Sequence, residues 1–119
     1  MAELKLYCIV RNDITIPIGK LIVQAGHGFL SVFWKAMMEN PDLAQNYLNE
    51  PAYPKICLKG KNLNSLLRAQ KECSELKIPN VLITDAGRTV FQEPTVTILG
   101  IGPTTFENLP LYVQKFQLY

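Results

Sequence analysis

The sequence predicts an α/β layer domain, and three observations carry that prediction. Short apolar runs of strand length alternate with longer segments of helical period. Gly, Pro and Asn punctuate the boundaries between them. A balance of 48% hydrophobic and 18% charged residues in 119 suits one domain, spanning 1–119, around one core.

The elements follow in order. Residues 4–11, LKLYCIVR, hold the apolar run Leu6 to Val10 and read as a first strand. Asn12, Asp13, Pro17 and Gly19 mark the loop after it. A helix is expected from about Gly19 to Met38, apolar enough to be buried against a sheet. Asn40-Pro41-Asp42 opens a second, short helix: a cap, a proline at the first helical position, and an acid that suits the dipole. Residues 54–60 form a second strand. The next helix places Leu63, Leu66, Leu67 and Leu76 on a helical period, with Asn62 or Asn64 as cap, and Pro79 closes the unit. Strands at 80–84 and 95–102 come next, joined by a link short for a helical crossover; they pair as a hairpin, or the link crosses an end of the sheet. Thr105 is placed to cap a last short helix. The final stretch, LPLYVQKFQLY, has no assignment.

Several chemistries are excluded. No run of 18 apolar residues exists, so no membrane-spanning helix is expected, and MAELKLYCIV reads as a strand rather than a signal peptide. Three scattered cysteines, Cys8, Cys57 and Cys73, suggest reduced, buried thiols in a cytoplasmic protein. A single histidine rules out a His-rich zinc site, and the cysteines lack zinc spacing. No G-x-S-x-G elbow occurs. Ile18-Gly19-Lys20-Leu21 lacks the upstream glycine and the hydroxyl of a phosphate loop, and Gly102 runs into Pro103 rather than a helix. A net charge of +2 is too small to argue a nucleic-acid partner by itself.

Two stretches remain. On the first helix Lys20, Gln24, His27 and Ser31 fall within roughly 60° of arc, a narrow polar line on an apolar rod. A line of that kind, if buried, must be hydrogen-bonded or wet; the bland reading is a solvated face. Gly26 and Gly28 flank His27, and close backbone packing would be a motive for both. An ammonium at a helix N-terminus is electrostatically awkward without an acidic partner, and Asp85 is the candidate. Asp85-Ala86-Gly87-Arg88-Thr89 then puts a carboxylate at the end of an apolar strand, where partial desolvation changes its basicity and lets it orient a water. The plainer reading is a turn Asp bonded to its own backbone. Thr95 and Thr97 share a sheet face by strand alternation.

Taken together, Val10-Arg11-Asn12-Asp13, Gly19-Lys20 with Gln24 and His27, Asp85-Ala86-Gly87-Arg88-Thr89, and Thr95 through Pro103 occur in an order that resembles the archaeal/eukaryotic-type (type 2) peptidyl-tRNA hydrolase family. The resemblance runs from the first strand to Pro103. It implies a three-layer α/β/α domain with a four-stranded mixed sheet. It also implies hydrolysis of the ester joining a peptide to the 3′ ribose of tRNA, with peptidyl-tRNA as partner and neither metal nor cofactor. The catalytic positions of the family carry over to Lys20, Asp85, Thr89 and Thr97; Gln24, His27 and Arg88 fall on motif positions and are expected to bind substrate. Arg11 and Arg88 are candidates to grip the phosphates. Ile22-Val23 is bulkier than the usual pair after the lysine, and Pro94 stands where a turn glycine is usual. A binding module of the same fold, holding tRNA or a protein without turnover, is the competing reading. Phe106, Tyr112, Phe116 and Tyr119 would suit a homodimer interface.

Overall fold

A computed structural model describes residues 2–88 and 91–119. Four strands form one mixed sheet: β1 (Lys5–Arg11), β2 (Lys55–Gly60), β3 (Asn80–Asp85) and β4 (Thr95–Thr104), in the order β2-β1-β4-β3. β1 runs parallel to β2 and antiparallel to β4, and β3 pairs antiparallel with β4. The last two strands are therefore antiparallel neighbours, consecutive in sequence and connected through residues 86–94.

The central strand explains the layout. Along β1 the side chains alternate. Tyr7 and Ile9 join Leu66, Ala69 and Cys73 of α3 (Leu63–Glu75), together with Leu99 and Ile101. Cys8 and Val10 join Ile98, Leu21, Ala25 and Phe29, the last three from or facing α1 (Ile18–Glu39). A strand buried on both sides has no polar face, which is why residues 6–10 read as an unbroken apolar run.

The caps form as their residue types dictate. Asn40 accepts from the Leu43 amide at the start of α2 (Pro41–Leu48), and Asn62, not Asn64, accepts from the Ser65 amide at the start of α3. Thr105 caps a single 3-10 turn, Phe106–Asn108. The unassigned C-terminal stretch forms α4 (Leu111–Gln114) and then runs beside β2: Lys59 N–H donates to Gln117 and Tyr119 N–H donates to Cys57. Four strands thus gain a short antiparallel escort along one edge.

Two helical expectations need correction. In α3 the buried positions are Ser65, Leu66, Ala69 and Cys73, whereas Leu67 and Leu76 face outward. A leucine count marks the period but small residues occupy half of the seam. In α1 the buried line is Gln24, Gly28, Val32 and Ala36, one small or polar residue per turn, and Ile18, Ile22, Val23, Leu30 and Trp34 are exposed. The helix bears large apolar residues on more than one face, but its fully buried residues form a single line. Gly28 accounts for how near it comes: a Cβ there would lie 2.7 Å from Cys8 Sγ, and one on Gly100 would lie 2.5 Å from the Gly28 carbonyl oxygen. Gly26 has no such neighbour.

All three thiols are free. Cys8 and Cys73 are buried and Cys57 is half-buried, and burial pushes each thiol up, Cys73 to about 12, so none is poised for chemistry. Among the described residues no helix is long and apolar enough to cross a membrane.

Candidate active site

The site grows out of the end of β3 and the first two turns of α1. β3 is an edge strand paired with β4, and its apolar run Val81–Ile83 leads through Thr84 to Asp85, whose side chain is only 6% exposed. A carboxylate so enclosed has to be paired or hydrogen-bonded. Three donors meet it. Lys20 Nζ lies 2.7 Å from Oδ2, Gln24 Nε2 reaches the same oxygen at 3.4 Å, and the Gly87 amide donates to Oδ1 at 2.8 Å. The two readings of Asp85 were never exclusive: one oxygen makes the turn and the other faces the lysine.

The turn explains Gly87. Its φ of +79° is one that larger residues adopt rarely, and a Cβ would come within 2.5 Å of the Glu93 backbone. Gly87 and Glu93, near the two ends of the connection from β3 to β4, therefore touch, and the Gly87 amide that this turn presents meets Asp85.

Lys20 comes from the first turn of α1, which has no acid and no side-chain cap of its own. A positive group there is opposed by the helix dipole, and Asp85 offsets that opposition. The ammonium has three protons and spends one on Asp85. Its side chain retains 19% exposure. In return Lys20, followed by the Gly87 amide, holds the Asp85 carboxyl below the usual carboxylate range, with burial pulling the other way.

Behind the pair lies a buried relay. Pairing steps from Ile83–Ile98 to Thr84–Val96, so Thr97 is the extra residue of a bulge in β4. Bulges re-aim side chains, and this one turns Thr97, fully buried, toward α1. Its Oγ1 lies 2.7 Å from Gln24 Oε1 and 3.4 Å from the Ile83 carbonyl. One hydroxyl proton serves one of these well, and the shorter contact takes it. The Gln24 amide can sit only one way round, because its NH2 group must face the acceptor-only carboxylate. Donation therefore runs from Thr97 to Gln24 to Asp85, with Lys20 donating from the outer side.

The other expected residues are placed as follows. His27 is exposed one turn beyond Gln24, and Arg88 is exposed just past the Gly87 turn. Arg11 is engaged: Nε and Nη2 donate to the two oxygens of Asp13 at 3.1 and 2.9 Å, and Nη1 donates to the Val96 carbonyl at 3.2 Å. It ties the loop after β1 to the start of β4. Thr89 lies outside the described residues. Of the eight expected side chains, the structure brings Lys20, Gln24, Asp85 and Thr97 into one connected group. The bulge that makes Thr97 part of it left no mark in the sequence, since a bulged threonine and a paired one read alike.

With this geometry in hand, relatives are informative. Residues 4–119 match the family model described as Peptidyl-tRNA hydrolase PTH2. A protein of Thermococcus sibiricus called Peptidyl-tRNA hydrolase is 38% identical over 103 residues, covering 87% of this chain and 86% of its own. Proteins of the same name from Saccharolobus islandicus and Sulfurisphaera tokodaii are 32% and 31% identical, covering 88% and 87% of this chain and 89% and 88% of their own. The match takes in nearly every described element, from β1 to the C-terminal escort, and on that breadth the chain belongs to the archaeal/eukaryotic-type peptidyl-tRNA hydrolase family, PTH2.

Proposed function

We propose that this chain hydrolyses the ester between peptide and tRNA, and that Lys20 and Asp85 are its reaction centre. Family membership supports the reaction. The single observation that supports the centre is the 2.7 Å pair between an ammonium from the first turn of α1 and a nearly enclosed carboxylate at the end of β3. Water adds to the ester carbonyl, the carbonyl electrons move to oxygen, and collapse expels the 3′ ribose oxygen. One proton of the water ends on that oxygen, giving free tRNA, and the other passes to solvent as the peptide leaves as a carboxylate.

A carboxylate held below its usual range is a weak base. Asp85 therefore orients the water and fixes Lys20 rather than carrying the proton away in the resting enzyme. The remaining Lys20 protons face outward and stabilise the oxyanion as it forms. Thr97 and Gln24 do not touch substrate in this scheme. They position Asp85, so Gln24 moves from the expected binding role to a positioning one. Thr89 belongs to the same proposal through its place in the motif. His27 and Arg88, both exposed beside the pair, meet the tRNA; Arg11, already committed to Asp13 and Val96, supports the loop instead. No metal or cofactor is assigned a role.

The packing of α1 and α3 against alternate residues of β1 supports a three-layer α/β/α arrangement in one domain spanning 1–119. A homodimer and a cytoplasmic setting, where its substrate arises, complete the reading. The test is release of peptide from peptidyl-tRNA by the purified chain beside Lys20→Ala and Asp85→Asn. Release by the wild type alone is expected. Equal rates in all three would sink the assignment, and salt-sensitive tRNA binding without turnover would select a binding module.

A further inference from the structure

The lysines are spread unevenly. Lys59, Lys61 and Lys115, three of the nine in the chain, border one open hollow of about 420 Å³ together with Ser65, Tyr112 and Phe116, and no carboxylate lines it. All three lysines are exposed. Among the described residues none of them pairs with an acid, whereas Lys5, Lys20, Arg11 and Arg68 meet Glu3, Asp85, Asp13 and Glu72. The first turn of α3, which supplies Ser65, holds no acid either. A net charge of +2 hides this local excess. Charges of one sign around a concave wall focus their field on whatever counter-ion enters it.

The hollow shares an edge of the sheet with the Lys20–Asp85 pair. β1 and β3 both run antiparallel to β4, and β2 runs parallel to β1, so these three strands end on the same side, at Arg11, Gly60 and Asp85. Gly60 lines the hollow. Three strand spacings part it from Asp85, roughly 14 Å. We infer that the hollow seats phosphates of the tRNA chain a few nucleotides back from the ester, with Lys59, Lys61 and Lys115 as their partners; this rests on the reaction proposed above. The tRNA half of that substrate is a polyanion and has to lead away from the ester. Three ammonium groups around one hollow suit successive phosphates rather than a single ion. Grooves for single strands combine cations with aromatic walls, and Tyr112 and Phe116 are such walls. Lys20 stands on the α1 side of the sheet and the hollow on the α3 side, so the strand crosses the sheet edge over Asn12 and Asp13. The Asp13 carboxylate would repel it, but Arg11 neutralises that charge at 2.9 Å.

Binding of uncharged tRNA to the full chain, measured against salt, tests this without any turnover, so its failure is distinct from failure of the proposed reaction. Lys61→Gln combined with Lys115→Gln should flatten the slope of log K against log salt by about 1.4, two contacts at about 0.7 each, and weaken binding about ten-fold at 0.15 M salt. Lys61→Arg with Lys115→Arg should restore both. Lys77→Gln, an exposed lysine just before β3 at the opposite edge of the sheet, should change neither. Two substrates then locate the contact. With peptidyl-tRNA the double Gln variant should raise KM and leave kcat alone. With an N-acetylaminoacyl ester of adenosine, which ends before the hollow, it should match the wild type. An unchanged slope and affinity in the double Gln variant overturns the inference. So does an equal loss on the adenosine ester, which would place the lysines' effect at the reaction centre, or an equal flattening by Lys77→Gln, which would make the effect one of net charge alone.

Discussion

Thr97 Oγ1 donates to Gln24 Oε1 across 2.7 Å, so a bulged strand residue and a helix amide hold each other where neither reaches solvent. Replacing Thr97 with Val keeps the shape but leaves the amide oxygen without its donor. A buried acceptor so orphaned costs about 1–3 kcal/mol, and the amide is freed to turn away from Asp85. Thr97→Val should lower kcat with KM little changed, since the proposed scheme gives Thr97 no contact with the tRNA. Thr97→Ser, which keeps the hydroxyl, should recover most of the rate. A rise in KM alone would show instead that the hydroxyl touches substrate.

Lys20 and Asp85 act as one unit in the proposed reaction, which makes a specific demand on the double variant. Removing an electrostatic stabiliser of a developing oxyanion typically costs about 10²–10³ in kcat. Lys20→Met and Asp85→Asn should each lose on that order. Together they should lose little more than either alone, because the second change removes a partner already useless. Multiplicative losses in single-turnover release would separate the two residues into independent roles.

The carboxyl of Asp85 should titrate below the ordinary value of about 3.9, chiefly because Lys20 donates to it. A group depressed on folding stabilises the protein above its unfolded pKa, and that contribution disappears as pH falls through the folded value. Lys20→Met removes the main depressing cause and leaves burial, which raises the pKa. The Asp85 carboxyl resonance in NMR should therefore titrate at higher pH in Lys20→Met than in the wild type. The stability difference between the two proteins should be widest near neutrality and close as the solution is acidified below the usual carboxylate range. Coincident titration curves would mean that the pair does not persist in solution.

Much of the fold was legible because its signals are local. Asn40-Pro41-Asp42 announces a helix start whatever surrounds it, and residues 6–10 are apolar because both faces of β1 are covered. The motif order likewise marked Lys20 and Asp85. What escaped was set by tertiary contact. The sequence pattern of α1 could not say that small residues would face the sheet and large ones the outside, since apolar residues stand on several of its faces and Gln24, on the polar line, is the one buried. Arg11 looked free to bind phosphate, yet Asp13, two residues on, takes its Nε and Nη2 and the Val96 carbonyl takes Nη1. Gln24 stood on the polar line as a candidate contact, but its bridge needs Thr97 on a bulge that only pairing between β3 and β4 creates.

Gly28 tests whether α1 has to lie this close to the sheet. An added methyl would meet Cys8 Sγ at 2.7 Å and Ile98 at 3.0 Å, both held in buried strands. Neither neighbour can step aside without moving the sheet, and overpacking of this sort costs about 1–3 kcal/mol. Gly28→Ala should therefore lower stability in urea, despite the better helix propensity of alanine. Because Gln24 rides on the same helix one turn earlier, the variant should also lose activity while still folded. Unchanged stability would mean that the helix sits farther from β1 and β4.

Arg88 and Arg11 should part company when tRNA binding is measured against salt. Arg88 is exposed next to the Asp85 turn, whereas the guanidinium of Arg11 is already held by Asp13 and the Val96 carbonyl. Each phosphate neutralised by a free cation contributes about 0.7 to the slope of log K against log salt for a single strand. Arg88→Ala should weaken binding and flatten that slope by about one contact. Arg11→Ala should leave the slope alone and act through the loop: it frees the Val96 carbonyl beside Thr97 and should lower stability and kcat instead. A flatter slope for Arg11→Ala would mean that the arginine abandons Asp13 for a phosphate when tRNA arrives, and the assignment of the two roles would have to be reversed.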